Sequence, residues 1–167
     1  FPWDGKVTAE INVEEPVACR LAFRIPGWCR SYTLNGQKGP GEGEIMTADG
    51  ETRQVKDGYL IIDKVWKGGE TLELDFPMEV RLMQADSRVR EDIGKAAVTR
   101  GPVVYCMEEA DNGKNLHLFS LASDPAPQAL LEEKIGQRMV TVTTKGRKLA
   151  VQKEDNGDLY REYGTAE

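Results

Sequence analysis

YLIIDKVWKGGETLELDF, residues 59–76, carries the pattern on which the fold rests. Leu72, Leu74 and Phe76 alternate with Glu73 and Asp75, the period of two expected of a half-buried strand. Gly68-Gly69 interrupts the run with residues that accept positive φ, so the segment reads as a β-hairpin. The same period recurs upstream. In KVTAEINV, Val7, Ala9, Ile11 and Val13 face one way, and Thr8, Glu10 and Asn12 the other. Glu14-Glu15-Pro16 makes a turn, and in CRLAFRI Leu21, Phe23 and Ile25 alternate with Ala22 and Arg24. These two strands are expected to pair as an antiparallel hairpin. Pro26-Gly27 ends the second, because proline lacks the ladder donor and glycine accepts turn geometry.

Downstream, NGQKGPGEGE (35–44) is a glycine-rich loop, with short strands expected at Ser31–Leu34 and Glu44–Met46. Asp49-Gly50 and Asp57-Gly58 signal turns. EVRLM reads as a strand, and KAAVTRGPVVYCMEE as two strands broken at Gly101-Pro102. Further strands are expected at Leu116–Leu121, Arg138–Thr144 and Leu149–Gln152; ALLEEKIG fits one helical turn or an irregular strand. The polar tail from Glu154 reads as a fraying end. About ten short strands with regular turn signals and no βαβ unit predict an all-β fold, an antiparallel β-sandwich. ADSRVREDIGK (85–95) is polar and lacks a period. It divides the chain into two small or incomplete sandwich modules, 1–83 and 84–167, or forms a crossing segment within one sandwich.

Bulk composition narrows the function. The 167 residues carry 22 Lys plus Arg against 28 Asp plus Glu, a net charge of −6, and no basic cluster. That argues against nucleic acid and anionic membranes as partners. No apolar run reaches the roughly 20 residues of a membrane span. Three cysteines, Cys19, Cys29 and Cys106, form no CxxC pair, although a Cys19–Cys29 bridge stays open.

Each candidate for chemistry has a plainer reading. Cys29, beside Trp28, would need a base or cation to become a thiolate nucleophile; it reads as a small buried residue ending a strand. Cys106, inside VVYCM, reads as more deeply apolar still. His117, between Leu116 and Leu118, faces away from any core they define, and one histidine makes no His-rich metal site. Asp86, Glu91 and Asp92 flank Arg88 and Arg90 as a solvated charge run, not as two carboxyls set across a sugar. GPGEGE lacks the Lys-Ser/Thr of a P-loop and has no helix after it. Trp3, Trp28 and Trp66 with Tyr59 and Tyr105 would suit a sugar-stacking platform, or simply packing. The residues assemble no catalytic constellation, so no catalytic, cofactor-binding or metal-binding residue is assigned.

Three segments together carry a resemblance: FPWDGKVTAEINVEEPVACRLAFRIPGWC, DGYLIIDKVWKGGETLELDFPMEVRLM and VTRGPVVYCMEEADN. In this order and spacing they resemble glycoside hydrolase family 127, the β-L-arabinofuranosidase-like enzymes, closely over residues 1–112 and loosely beyond. The resemblance implies a bacterial parent with an N-terminal (α/α)6 barrel followed by β-sandwich domains. Its catalysis would rest on a zinc site of cysteines and a glutamate in that barrel, one cysteine acting as nucleophile. The adjacent-cysteine motif of that site is absent here, so no such residue is carried over. By the same resemblance the chain is truncated at both ends, with no Met at Phe1 and no aromatic-rich strand after Tyr163. The expected role is a non-catalytic accessory region, inactive alone, whose partner is the catalytic barrel and which supplies a homodimer contact. A carbohydrate-binding module and an unrelated structural interaction domain are the alternatives. Cytoplasm and periplasm stay open, as do the sugar and linkage.

Overall fold

A computed structural model describes residues 2–48, 50–134 and 136–150. Fifteen short strands dominate. They are β1 (Lys6–Ile11), β2 (Val17–Arg24), β3 (Thr33–Leu34), β4 (Gln37–Lys38), β5 (Ile45–Ala48), β6 (Glu51–Lys56), β7 (Tyr59–Trp66) and β8 (Glu70–Asp75). After these come β9 (Val80–Met83), β10 (Ala97–Arg100), β11 (Val103–Tyr105), β12 (Phe119–Leu121), β13 (Gln128–Lys134), β14 (Gln137–Thr143) and β15 (Gly146–Lys148). One four-residue helix spans Glu109–Asn112. The chain forms two compact units, one of Phe1–Cys106 with Ala129–Val142, the other of Met107–Gln128 with the chain from Thr143 onward.

The first unit is built on an antiparallel sandwich. One sheet runs β1-β8-β3-β4 and the other β2-β7-β6-β5. The two hairpins expected from the sequence are not formed. β1 pairs with β8, from Lys6↔Asp75 to Ile11↔Glu70, and β2 pairs with β7, from Val17↔Trp66 to Arg24↔Tyr59. Each expected hairpin is instead a crossing from one sheet to the other. Alternation reports which side of a strand is buried; it does not name the neighbouring strand. Here the inward sides of β7 and β8 face each other across the core. The two crossings stack: the Gly69 N–H donates to the Ile11 carbonyl at 2.9 Å, and a Cβ on Gly68 would lie 2.5 Å from the Val13 carbonyl oxygen.

The core between the sheets comprises Tyr32, Leu34, Val55, Leu60, Ile62, Trp66, Leu72, Leu74 and Phe76. Trp66, Leu60 and Ile62 are fully enclosed, and the Trp66 indole N–H donates to the Cys19 carbonyl at 2.9 Å. Trp28 meets Phe76 edge-on, with ring centroids 6.4 Å apart. The Tyr32 hydroxyl donates to the Pro40 carbonyl at 3.1 Å; burial pushes that phenol up to about 12.

A three-stranded antiparallel sheet, β11-β10-β9, belongs to the same unit. Two arginines tie it to the sandwich strands. Arg81 on β9 donates to the Trp28 carbonyl at 2.6 Å, and Arg100 on β10 donates to the Trp3 carbonyl at 2.9 Å. Charge-assisted bonds of this kind are worth about 1.5–3 kcal/mol. Arg81→Ala is therefore expected to cost about 2 kcal/mol, read as a lowered urea midpoint with an unchanged slope.

Some local readings need correction. Of the two readings of ALLEEKIG the strand holds: residues 129–134 lie in β13, which pairs with β14. Leu116–Leu118 is a 3-10 turn, so the strand there is only Phe119–Leu121. The expected strand at Leu149–Gln152 lies half outside the described residues, as does the tail; Leu149 and Ala150 are not in a strand, and a strand stands just before them at Gly146–Lys148. In the second unit β12 pairs with β15, and Lys148 places its ammonium 4.6 Å over the Phe119 ring.

Candidate functional site

Strand β7 turns Leu60, Ile62, Lys64 and Trp66 inward, and β8 turns Glu70, Leu72 and Leu74 toward them. Two of those inward residues are charged. A charge on an inward position finds partners, because an unpaired charge is costly to draw away from water. Lys64 is held by Glu70, by Glu51 at 3.5 Å, and by the Trp66 ring 4.5 Å from its ammonium. Arg53 pairs with Glu51. These four side chains, with Gln37, Met46 and Lys67, line a cleft of about 710 Å³ at one end of the sandwich.

Both carboxylates of the cleft are paired with cations. Lys64 and Arg53 meet Glu51 and Glu70, and Lys67 adds a third cation to the lining. The Lys64 hydrogen bond, and then the Lys67 backbone N–H, hold the Glu70 carboxyl below its ordinary value. A glycosidase needs one carboxyl kept protonated near neutral pH beside an ionised one. Glu70 is driven the opposite way. Because its folded value is depressed, its contribution to stability is present above the unfolded value and lost as pH falls through the folded one. Glu70→Gln is expected to flatten the fall in thermal midpoint below about pH 4.5, measured against the unsubstituted chain.

The residues singled out from sequence lie elsewhere. Cys29 is half-buried, its thiol donating to the Ser31 carbonyl at 2.8 Å; burial raises its pKa, so it rests as a thiol. All three cysteines are free, which closes the Cys19–Cys29 alternative. Cys106 is exposed, contrary to its apolar flanks, because it lies just past the end of β11. His117 is exposed within its 3-10 turn. Arg88 pairs with Asp86 at 2.9 Å, and Glu91 and Asp92 are exposed around them. In the GPGEGE loop, Gly41 donates to the Glu44 carboxylate, and the Glu42 carboxylate accepts the Asp57 N–H. Of the five aromatics weighed for sugar stacking, only Tyr59 is exposed, and Arg24 already covers it at 5.2 Å. The cluster at Lys64 was missed. Its signal was present, since Lys64 shares parity with Ile62 and Trp66, and Glu70 with Leu72 and Leu74.

The architecture defines an antiparallel sandwich protein whose cleft-lining carboxylates, Glu51 and Glu70, are both tied up in ion pairs. Residues 1–78 match the model of the β-L-arabinofuranosidase, glycoside hydrolase family 127 middle domain, and residues 80–153 match the glycoside hydrolase family 127 C-terminal domain. The chain belongs to glycoside hydrolase family 127. It is 41% identical over 130 residues to a non-reducing end β-L-arabinofuranosidase of Bifidobacterium longum subsp. longum, covering 73% of this chain and 18% of that relative. It is also similar to a solved family 127 β-L-arabinofuranosidase from Geobacillus stearothermophilus T6, with a TM-score of 0.77 and 33% identity over all of this chain and 24% of that one. A second solved family 127 β-arabinofuranosidase matches with a TM-score of 0.74 and 29% identity, over 92% of this chain and 25% of its own. The chain thus spans about a quarter or less of the relatives it matches.

Proposed function

We propose that this chain is the non-catalytic β-sandwich portion of a β-L-arabinofuranosidase-type glycoside hydrolase, bracing that enzyme's catalytic barrel. The observation that carries this reading is the match of residues 1–78 and 80–153 to domains described as middle and C-terminal. The chemistry of the chain supports it. Glu70 is fixed as a carboxylate and Cys29 as a thiol, so neither is poised for acid or nucleophilic work. Any zinc chemistry belongs to the barrel and not to these residues. Against glycan binding, Trp66 is enclosed and Trp28 is half-buried against Phe76, which leaves no row of open rings among the described residues.

The test is hydrolysis of a chromogenic β-L-arabinofuranoside, assayed with this chain alone and with a parent enzyme that contains it. No turnover by the chain and ready turnover by the parent is expected; turnover by the chain alone would overturn the reading. Within the parent, Cys29→Ala is expected to leave kcat within about twofold, since a tenfold loss in rate requires about 1.4 kcal/mol of lost transition-state contact and the Cys29 thiol donates to a backbone carbonyl, that of Ser31.

A further inference from the structure

The two sheets of the sandwich turn unlike faces outward. On β1-β8-β3-β4 the outward positions include Lys6, Glu10, Glu73 and Asp75, interspersed with threonines. That is a solvated face. On β2-β7-β6-β5 the registers Ala22↔Ile61, Gln54↔Ile61 and Ile45↔Gln54 set Ala22, Ile61, Gln54 and Ile45 in one row across all four strands. Ala18↔Val65 adds a parallel pair. Ile45 is 63% exposed and Val65 is 52% exposed.

The charges of this second face are largely spent on one another. Arg20 pairs with Asp63 at 2.9 Å, and Arg24 lies over Tyr59 while donating to the Gly58 carbonyl at 2.7 Å. The strands place no glutamate among these outward positions, and Lys56 stands only at the turn end. Thr47, Thr52 and Gln54 also lie on this face, but its aliphatic, arginine and tyrosine side chains with few lysines or glutamates match a protein interface more than open surface.

We infer that the outward face of β2-β7-β6-β5 is the surface on which the sandwich docks against the domain that precedes it in the parent enzyme. This rests on the function proposed above. The matched description is of a middle domain, which by its name follows another, and the solved relatives carry about three-quarters of their length outside the matched region. The size also fits. Four strands about 4.8 Å apart, and six residues rising about 3.3 Å each, give a face of roughly 400 Å². That equals one side of an interdomain contact, which buries about 600–1,500 Å² in total.

The test is thiol labelling of a parent enzyme carrying Ala22→Cys on the proposed face or Thr8→Cys on the opposite sheet. Each labelled site is identified by peptide mass, so that the native cysteines do not interfere, and rates are taken relative to the same protein in urea. The expected result is protection of the Ala22→Cys site by at least about tenfold, with the Thr8→Cys site labelled freely. Protection of the Thr8→Cys site alone would overturn this face and leave the bracing role standing. Free labelling at both sites would overturn both. Protection of the Ala22→Cys site that vanishes on dilution would mean a second copy covers the face, and would also overturn the inference.

Discussion

Trp66→Ala should unfold much of the sandwich unit at moderate denaturant. Its ring is fully enclosed in the core, and its indole N–H holds the Cys19 carbonyl of the neighbouring edge strand. Truncating a buried tryptophan costs about 3–5 kcal/mol, against a total stability of about 5–15 kcal/mol for a domain. The loss has three sources here: a cavity, the lost hydrogen bond to the Cys19 carbonyl on β2, and the lost contact of the Lys64 ammonium with the ring, which leaves Lys64 only its two carboxylates. Trp66→Phe separates them. It keeps most of the volume and loses the hydrogen bond, so about 1–2 kcal/mol is expected. Urea titration followed by circular dichroism measures both; a Trp66→Ala variant as stable as the parent chain would show that the core does not depend on this ring.

Gly5→Ala is the second large effect. A Cβ at Gly5 would lie 1.9 Å from the Phe76 carbonyl oxygen and 2.7 Å from its carbon, both backbone atoms. No rotamer change relieves such a clash. The Phe76 N–H donates to the Gly5 carbonyl at 3.0 Å, so the chain would have to break that bond to make room. A cost of about 3 kcal/mol is expected, the upper end of overpacking penalties. Gly27→Ala is the matched control, because nothing lies within 4 Å of its added Cβ. It should change the thermal midpoint little. Equal effects at the two positions would mean that backbone entropy, and not the Phe76 contact, governs both.

The β content and the burial pattern were legible in the sequence because both are local. Leu72, Leu74 and Phe76 are buried as their alternation required, and β10 and β11 break at Gly101-Pro102. Partnership was not legible. The runs Lys6–Ile11 and Val17–Arg24 look like two arms of one hairpin, yet Lys6 pairs with Asp75 and Arg24 with Tyr59, strands far along the chain. A turn of Glu14-Glu15-Pro16 can return a strand beside its predecessor or carry it over the core, and nothing local chooses. Strand β6 also escaped notice: ETRQVK has mixed polarity because Arg53 points inward to a carboxylate instead of to water. The family likeness was legible from motifs such as RIPGWC and RGPVVYC. The charged cleft was legible only in retrospect, from lysine and glutamate at inward parity. Cys106 misled because its apolar flanks precede the point where β11 ends.

The register Lys6↔Asp75 has a consequence for how the chain is made. Strand β1, once it leaves a ribosome, cannot find its sheet partner until nearly seventy further residues have been synthesised. At about 5–20 residues per second, that is a wait of roughly 4–14 seconds. Throughout it, Val7, Ala9 and Ile11 have no sheet to join, and the entropy of closing so long a loop must be met before any ladder bond forms. Nascent chains of this protein are therefore expected to be clients of holding chaperones until β8 emerges.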